Sequence, residues 1–290
     1  MIFSTNTFVP QQKFGAIDGV KKIIEAGFPA IDMSFFRGSW IFTHDGDKIA
    51  LAKEMRKIAD DSGVIFNQAH APFGKPDIFY EDCLPRFPEI FECCAILGIK
   101  NIIVHPIINL RHYGNEEALF NTNMEFYNSI KPLARDNGVK IALENMYEAH
   151  PQKKQYVDSV CADPKELCRY YDSLGDSENF TVCLDLGHVA LCNREPEDAI
   201  RAIGHDRLGA LHVHDVDYVS DLHTAPYVSK LNWDNICRAL GEIDYKGEFT
   251  LETDHFFRKA DNDFYPVALK FLADTARYLA EKVDGYRNNK

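Results

Sequence analysis

The sequence predicts an α/β fold, a single (β/α)8 barrel domain formed by residues 1–290. Three observations support this prediction. An apolar strand followed by an amphipathic helix recurs eight times, no linker or low-complexity segment interrupts the series, and the strands are continuous rather than alternating apolar runs. Continuous apolar runs are typical of parallel strands that helices cover on both faces of the sheet. Barrels of this kind commonly reach about 250 residues as one domain, which suits a chain of 290.

The eight predicted strands are short apolar segments bounded by polar loops. In chain order they are MIFSTNTF, FPAIDMSF, VIFNQAH, KNIIVH, VKIALE, FTVCLD, LGALHVH and GEFTLE. No G-x-G-x-x-G motif follows the first strand and no Walker loop occurs anywhere. Because these motifs are typical of nucleotide-binding open sheets, their absence favours the barrel over a doubly wound sheet.

The helices between the strands have apolar residues at helical spacing and end near glycines. In chain order they are AIDGVKKIIEAG, DKIALAKEMRKIADDSG, LPRFPEIFECCAILG, EEALFNTNMEFYNSIKPLARDNG, DPKELCRYYDSLG, EPEDAIRAIG, NWDNICRALGEI and DFYPVALKFLADTARYLAEKV. In the first of them Ile17, Val20, Ile23 and Ile24 form one stripe, and Gly27 is placed to end the helix.

Composition and charge argue against several classes of partner. The chain carries 32 Lys and Arg against 44 Asp and Glu, a net charge of −12, which disfavours binding to a nucleic-acid backbone. No apolar run approaches the roughly 18 residues of a membrane span, and the start MIFSTNTFVPQQKFG lacks the pattern of a signal peptide. The eight cysteines form no CxxC pair, so we expect reduced thiols in a cytoplasmic protein.

Metal-binding side chains follow almost every strand from the third onward. In a (β/α)8 barrel the C-terminal ends of the strands meet at one face, where active sites lie. The residues at these ends are His70, His105, Glu144, Asp185 with His188, His212, His214 with Asp215, and Glu252 with Asp254. A single histidine at a strand end is more often a structural residue than a ligand. Imidazole and carboxylate groups gathered at one face, however, are the ligands of Zn, Mn, Fe or Co, so the number of candidates predicts a metal centre.

Several short motifs resemble the xylose isomerase-like barrels, a family that groups sugar isomerases and epimerases with DNA-repair enzymes of the endonuclease IV type. The motifs are HAPF, VHP, ALEN, LDLGH, HVHD, DLH before NW, and LET, and they extend from the third strand to the eighth. The resemblance implies a divalent metal, Mn, Zn, Co or Mg. The ligands that it implies are Glu144, Asp185, His212 and Glu252.

The resemblance also implies roles for the remaining histidines. It makes His188 a substrate-binding residue and His214 a residue that touches the substrate or supports the ligands, and it places His70 and His105 near the substrate. In the DNA-repair branch, three zinc ions are bound, and the additional ligands there correspond to His70, His105, His188, Asp221 and His223. Asp221 and His223 are therefore candidate additional ligands.

The chemistry that the resemblance implies is proton transfer on a sugar. Glu144 and Glu252, from the fifth and eighth strands, are the expected acid–base pair, acting on a metal-held enediolate in epimerisation or isomerisation. The ketose 3-epimerases carry an arginine shortly after the seventh strand, whereas this chain has Tyr218 there and no Lys or Arg from Leu208 through Ser229. A neutral or carboxylated sugar, polyol or glycoside is therefore favoured over a sugar phosphate.

Alternatives from other classes stay open at this point. The same residues suit a trinuclear zinc phosphodiesterase acting on abasic DNA, a dehydratase or lyase of the same family, or a non-catalytic metal-binding or sugar-sensing barrel. The aromatic loops SFFRGSWIF and DHFFRK suggest rings that stack on a sugar face, or rings that simply cover the barrel mouth. The expected partner is a small-molecule sugar or polyol, with no nucleic acid and no membrane, and a homo-oligomer is compatible with the sequence.

Overall fold

The computed structural model describes residues 1–288 and confirms the predicted (β/α)8 barrel. The eight barrel strands are β1 (Phe3–Asn6), β2 (Ala30–Ser34), β3 (Ile65–His70), β4 (Asn101–Val104), β5 (Lys140–Glu144), β6 (Phe180–Asp185), β7 (Leu208–His212) and β8 (Phe249–Leu251). Each is parallel to its neighbours in chain order, and β8 pairs with β1. Val213 joins β7 to β8, because its N–H donates to the Thr250 carbonyl (2.9 Å) and its carbonyl accepts from the Glu252 N–H (3.0 Å).

Twelve α-helices accompany these strands within residues 1–288. They are α1 (Phe8–Phe14), α2 (Ala16–Ala26), α3 (Trp40–Thr43), α4 (Lys48–Asp61), α5 (Pro76–Ile78), α6 (Phe87–Leu97), α7 (Glu116–Asn137), α8 (Pro164–Leu174), α9 (Leu186–Leu191), α10 (Pro196–Ile203), α11 (Trp233–Glu242) and α12 (Tyr265–Asn288). Gly27 ends α2 in the left-handed conformation (φ 94°), as its position in the sequence predicts.

The structure contains elements that the sequence pattern did not indicate. Phe8, expected in the first strand, begins α1 instead, and a two-stranded antiparallel hairpin, Tyr147–Ala149 with Tyr156–Asp158, follows β5. A π turn (Phe79–Cys83) and a 3₁₀ turn (Leu84–Arg86) lead into α6. The hairpin and α9 both lie directly after barrel strands, so they form part of the barrel mouth.

The main hydrophobic core lies between the strands and the helices, whereas the barrel interior is largely polar. Inside the barrel, Ile103, Ala142, Cys183 and Ala210 form a separate small apolar cluster. On the opposite side of the interior, the Ser4 hydroxyl donates to the Thr250 hydroxyl at 2.9 Å. The small apolar cluster therefore lies on β4 to β7, directly beneath the strand ends that carry the candidate site.

Most rings of the two aromatic loops, SFFRGSWIF and DHFFRK, do not contact the predicted site. In SFFRGSWIF, Phe35 and Trp40 are buried in the core, and the Trp40 indole N–H points at the Met33 sulphur (3.3 Å). Phe36 alone reaches the predicted site, edge-on to His70 with 4.7 Å between ring centroids. In DHFFRK, Phe256 stacks on Phe271 of α12 and Phe257 is exposed. Among these rings, Phe36 is the one that contacts the predicted site, and stacking of the loops on a sugar stays a prediction.

The structure also bears on the expected reduced thiols and on the expected lack of a membrane span. All eight cysteines are free thiols, and only Cys168 is not fully buried. Within residues 1–288, no helix combines the length and the apolar character that crossing a membrane requires.

Candidate active site

Four of the predicted ligands, one from each of β5 to β8, lie together at the barrel mouth. Glu144, Asp185 and His212 are the last residues of β5, β6 and β7, and Glu252 follows β8 directly. Each offers one ligand atom, and these atoms all lie within 4.8 Å of one another. All four side chains are buried. The parallel arrangement of the strands therefore brings together residues that are spread over more than 100 positions of the chain.

The His212 imidazole faces all three carboxylates of this cluster through a single nitrogen. His212 Nδ1 lies 2.7 Å from Glu144 Oε1, 3.5 Å from Glu252 Oε2 and 4.0 Å from Asp185 Oδ2. One imidazole proton can satisfy only one of these oxygens, so the remaining charge of three buried carboxylates has no counterpart in the cluster. Because buried like charges are costly unless a cation neutralises them, the donor set fits a divalent metal.

The pKa values of the two candidate acid–base residues are displaced in opposite directions. Burial raises the pKa of Glu252 well above its ordinary value. Burial acts the same way on Glu144, but His212 and His105 outweigh it and hold the pKa of that carboxyl well below the ordinary value. Burial also opposes ionisation of Asp185, yet His188 and His214 lower its pKa to about 2. Two carboxyl groups whose environments separate their pKa values are typical of an acid–base pair.

His70 and His105 form a second cluster on the other side of Glu144. His105 Nε2 lies 2.9 Å and His70 Nε2 lies 3.5 Å from Glu144 Oε2, and the two Nε2 atoms are 3.1 Å apart. His70 Nδ1 lies 2.7 Å from the Ala71 carbonyl, so Nδ1 carries the proton and Nε2 presents a lone pair to the cavity. Burial lowers the pKa of His105 to about 4, which keeps that ring neutral and able to act as a ligand.

A third cluster consists of His188, His214, Asp221 and His223. His223 Nε2 lies 3.1 Å from Asp221 Oδ2, and the Tyr147 hydroxyl donates to the same oxygen at 2.7 Å. The rings of His214 and His223 stack 4.0 Å apart, and His214 Nε2 lies 3.1 Å from both Asp185 oxygens. This cluster adjoins the first through Asp185, so all three groups share one mouth.

Asp215 has a different role from the residues around it. Its carboxylate accepts hydrogen bonds from the Ser229 and Leu231 N–H groups and from the Trp233 indole N–H, each at 3.0 Å. These bonds anchor the end of the long loop after β7, and the start of α11 that follows it, to Asp215. Asp215 therefore holds the loop that carries Asp221 and His223, and its oxygens are not available to the clusters.

Several residues of the site escaped the sequence prediction. The Asn145 amide donates to the Asp185 carbonyl (3.0 Å), its oxygen accepts from the Asp185 N–H (2.8 Å), and its own carbonyl lies 2.8 Å from His188 Nδ1. Asp32 on β2 is also buried, and neither of its oxygens has a hydrogen-bond partner. Burial raises the pKa of its carboxyl, and His212 and His70 oppose that rise. Asp32 is the middle residue of β2, so its signal in the sequence is an acidic residue inside an apolar strand and not at the strand's end.

The clusters border a cavity of about 270 Å³ that opens at the barrel mouth. It is lined by His70, Phe73, His105, Glu144, Met146, Tyr147, His188, Asp221, His223 and Glu252. None of these ten lining residues is a lysine or an arginine. A phosphate group entering this cavity would therefore meet carboxylates without a lysine or an arginine, whereas hydroxyl groups would meet both donors and acceptors.

Comparison with known proteins gives one family match and several similar folds. A family model described as xylose isomerase-like TIM barrel matches residues 20–275. The protein y4fM of Sinorhizobium fredii is 28% identical over 167 residues, which cover 56% of this chain and 50% of that protein. The chain thus spans about half the length of the curated relatives that it matches.

Solved structures resemble the whole chain at low sequence identity. A D-tagatose 3-epimerase-like protein has a TM-score of 0.74 at 19% identity, covering 98% of this chain and 100% of its own. A D-psicose 3-epimerase crystallised in the presence of D-fructose has a TM-score of 0.71 at 20% identity, covering 98% and 99%. The IOLI protein with a bound zinc atom has a TM-score of 0.71 at 14% identity, covering 99% of each chain.

Proposed function

Because the chain belongs to the xylose isomerase-like TIM barrel family, we propose that it is a metal-dependent isomerase or epimerase acting on a sugar or polyol. The observation that carries this proposal is the convergence of Glu144, Asp185, His212 and Glu252 to within 4.8 Å. The similar folds include a D-tagatose 3-epimerase-like protein, a D-psicose 3-epimerase and one protein solved with zinc, which agrees with a sugar substrate and a divalent metal.

Glu144, Asp185, His212 and Glu252 would hold the metal, which is Mn, Zn, Co or Mg. A divalent cation bound there supplies Lewis acidity, which weakens the C–H bond beside a sugar carbonyl. Asn145 keeps the Asp185 backbone in place through two hydrogen bonds, and the Asp185 side chain accepts from the His188 N–H at 2.7 Å. These bonds hold the ligands in position before the substrate arrives.

Proton transfer falls to Glu144 and Glu252. They come from β5 and β8, on either side of His212, so their carboxyl groups can approach a bound carbon from different directions. One carboxylate takes the proton from the carbon next to the carbonyl, and the other carboxylic acid returns a proton from the opposite face, giving the epimer. Return of the proton to the adjacent carbon would give the isomer.

The histidines around the cavity would bind the hydroxyl groups of the substrate. His70, His105 and His188 line the cavity beside the carboxylate cluster. His214 was expected among them, but its buried ring does not line the cavity and would instead support Asp185, whose two oxygens lie 3.1 Å from its Nε2. Since no lysine or arginine lines the cavity, a neutral sugar or polyol suits it better than a sugar phosphate.

Deuterium exchange tests this function directly. The metal-loaded protein, incubated in D₂O with a panel of ketoses, is expected to introduce deuterium at a carbon beside the carbonyl, detected by NMR. Glu252→Gln is expected to lower this exchange at least about 100-fold, the range of a lost general acid or base, with metal retained. Glu125→Gln, an exposed glutamate on α7, is the matched control. Full turnover in both Glu144→Gln and Glu252→Gln would rule out the two-carboxylate mechanism.

A second candidate function has one specific observation in its favour. The three clusters together present the residues that correspond to a trinuclear zinc site, with Asp221 and His223 as additional ligands. An endonuclease IV-type phosphodiesterase would use them on abasic DNA, but the net charge of −12 and a cavity lining without lysine or arginine give a DNA backbone little to bind. Three zinc ions per chain, together with cleavage of an abasic oligonucleotide, would favour this function over the isomerase.

A further inference from the structure

Helix α12 carries an exposed apolar stripe opposite the face that packs on the barrel. Its buried side includes Leu269, Leu272 and Leu279. Val267, Phe271 and Tyr278 lie on the other side and are 57%, 48% and 54% exposed. They are spaced four and seven residues apart, so they form one line along the helix. An outer barrel helix normally presents polar residues there.

Two loops from the barrel mouth extend this stripe into a larger surface. Phe256 stacks on Phe271 at 5.5 Å, Phe257 contacts Phe264 at 5.6 Å, and Tyr227 contacts Tyr278 at 6.3 Å. The exposed members of this surface, called here the aromatic face, are Tyr227, Val228, Phe257, Phe264, Val267, Phe271 and Tyr278. They are half of the 14 large hydrophobic residues that are exposed within residues 1–288, so the surface is a cluster and not a scatter of single residues.

The backbone of the aromatic face is strained at two positions. Tyr227 and Phe257 have φ values of 70° and 50°, the left-handed region that aromatic residues rarely adopt. Both side chains are about half exposed, so contacts within the chain offset this cost only in part. Strain of this kind is typical of residues whose position serves a contact or a function.

The charges around the aromatic face suit contact with an identical surface. Two acids, Asp274 and Glu281, lie on the exposed side of α12, and Asp274 is neutralised on its own helix by Lys270 and by Arg277 (2.9 Å). Residues 255–282 contain five basic and four acidic side chains, whereas the whole chain has a net charge of −12. The segment that carries most of the aromatic face is therefore close to neutral, which keeps the charge repulsion between two copies low at this surface.

We propose that the protein forms a two-fold symmetric homodimer through the aromatic face. Five aromatic side chains and two valines, each about half exposed, amount to roughly 600 Å² per copy, because a buried aromatic side chain contributes about 150–250 Å². Two copies would then bury about 1,200 Å², the lower end of the range for stable interfaces. In a two-fold dimer each copy presents the same patch, so one self-matching surface is sufficient. The proposal is independent of the reaction that the barrel catalyses.

Sedimentation velocity on the full chain tests the dimer. The wild-type protein at 1–50 μM is expected to have twice the mass of one 33.1 kDa chain. Val267→Glu places a charge at the centre of the face without removing a core contact, and it is expected to raise the dimer dissociation constant at least about 100-fold. Phe271→Asp is expected to do the same.

Tyr113→Asp is the matched control, because Tyr113 is 91% exposed and lies on the loop after β4, away from α12. It is expected to leave the dimer intact. Circular dichroism establishes that each variant is folded, and hydrogen exchange is expected to be slower at residues 256–271 in the wild-type dimer than in Val267→Glu. A wild-type protein that is monomeric up to 50 μM, or a dimer that Val267→Glu and Phe271→Asp leave unchanged, would overturn the proposal. Capture of a different protein by a monomeric chain would also overturn it.

Discussion

At the scale of single residues, Gly187 shows how closely the candidate site is packed. Gly187 lies in α9, two residues after Asp185, and a Cβ atom added there would collide with the His214 ring. That ring is fully buried and lies 3.1 Å from both Asp185 oxygens, so it has no open direction in which to move. The glycine of the LDLGH motif is therefore explained by the histidine that packs against it.

Replacement of this glycine is expected to disturb the ligands through His214. We expect Gly187→Ala to lower turnover about 10-fold or more and to destabilise the fold by about 1–3 kcal/mol, the usual cost of overpacking. Gly285→Ala is the control, because a Cβ atom at that position in α12 has no neighbour within 4 Å. Exchange kinetics and thermal melts measure both effects. Equal behaviour of the two variants would show that His214 has room to move and that the packing argument is incorrect.

Many residues of the site could be predicted individually because each stands at the end of an apolar run. Glu144, Asp185 and Glu252 follow their strands directly in the sequence. Asn145 could not be predicted in the same way, since its contribution consists of hydrogen bonds to β6, 40 residues further along the chain. The sequence also could not predict whether the Asp215 side chain faces the cavity or the loop. Its three hydrogen-bond donors belong to residues 229–233, and only the folded path of the loop brings them back to Asp215.

At the scale of secondary-structure elements, the barrel repeats were predictable and the short insertions at the mouth were not. The long helices have strong apolar periodicity, and glycines mark their ends, so their predicted and observed bounds agree closely. The hairpin Tyr147–Ala149 with Tyr156–Asp158 has strands of three residues with partly exposed side chains, which leave no apolar pattern. Helix α1 begins within the run expected to be the first strand, because β1 ends at Asn6, where pairing with β2 stops.

One contact between elements predicts a pH dependence of stability. His112, on the loop after β4, lies 2.9 Å from Glu166 in the first turn of α8, and the same glutamate accepts from the Cys161 N–H (3.0 Å). The hydrogen bond with Glu166 raises the pKa of His112, although partial burial opposes it. A raised pKa in the folded state means that the stabilisation is fully present below about pH 6.5, the ordinary value, and is lost as the pH rises through the folded-state value.

His112→Gln is therefore expected to cost more stability at pH 6 than at pH 9. Urea unfolding of metal-loaded protein at both pH values measures the difference, and Glu166→Gln should show the same trend. The double variant His112→Gln/Glu166→Gln should lose no more stability than the two single losses added together, because the two residues share one interaction. A loss that grows with pH would contradict the assigned direction of the pKa shift.

At the scale of the whole molecule, the site exists only because the barrel closes. Its four central side chains come from strands that begin at residues 140, 180, 208 and 249, and the last of these strands must also pair with β1. The sequence could predict this convergence, since strand order and direction in a (β/α)8 barrel determine which ends meet. It could not predict the aromatic face, because exposure of Phe257, Phe264 and Phe271 depends on how the loop after β8 lies against α12.

The most direct test of the central claim is a crystal structure of the protein loaded with Mn²⁺ or Zn²⁺, with anomalous differences recorded at the metal edge. The account predicts a peak bound by Glu144, Asp185, His212 and Glu252, at distances of about 2.0–2.2 Å as is usual for oxygen and nitrogen ligands of zinc. No peak among these four side chains, or a metal bound only elsewhere on the protein, would contradict it.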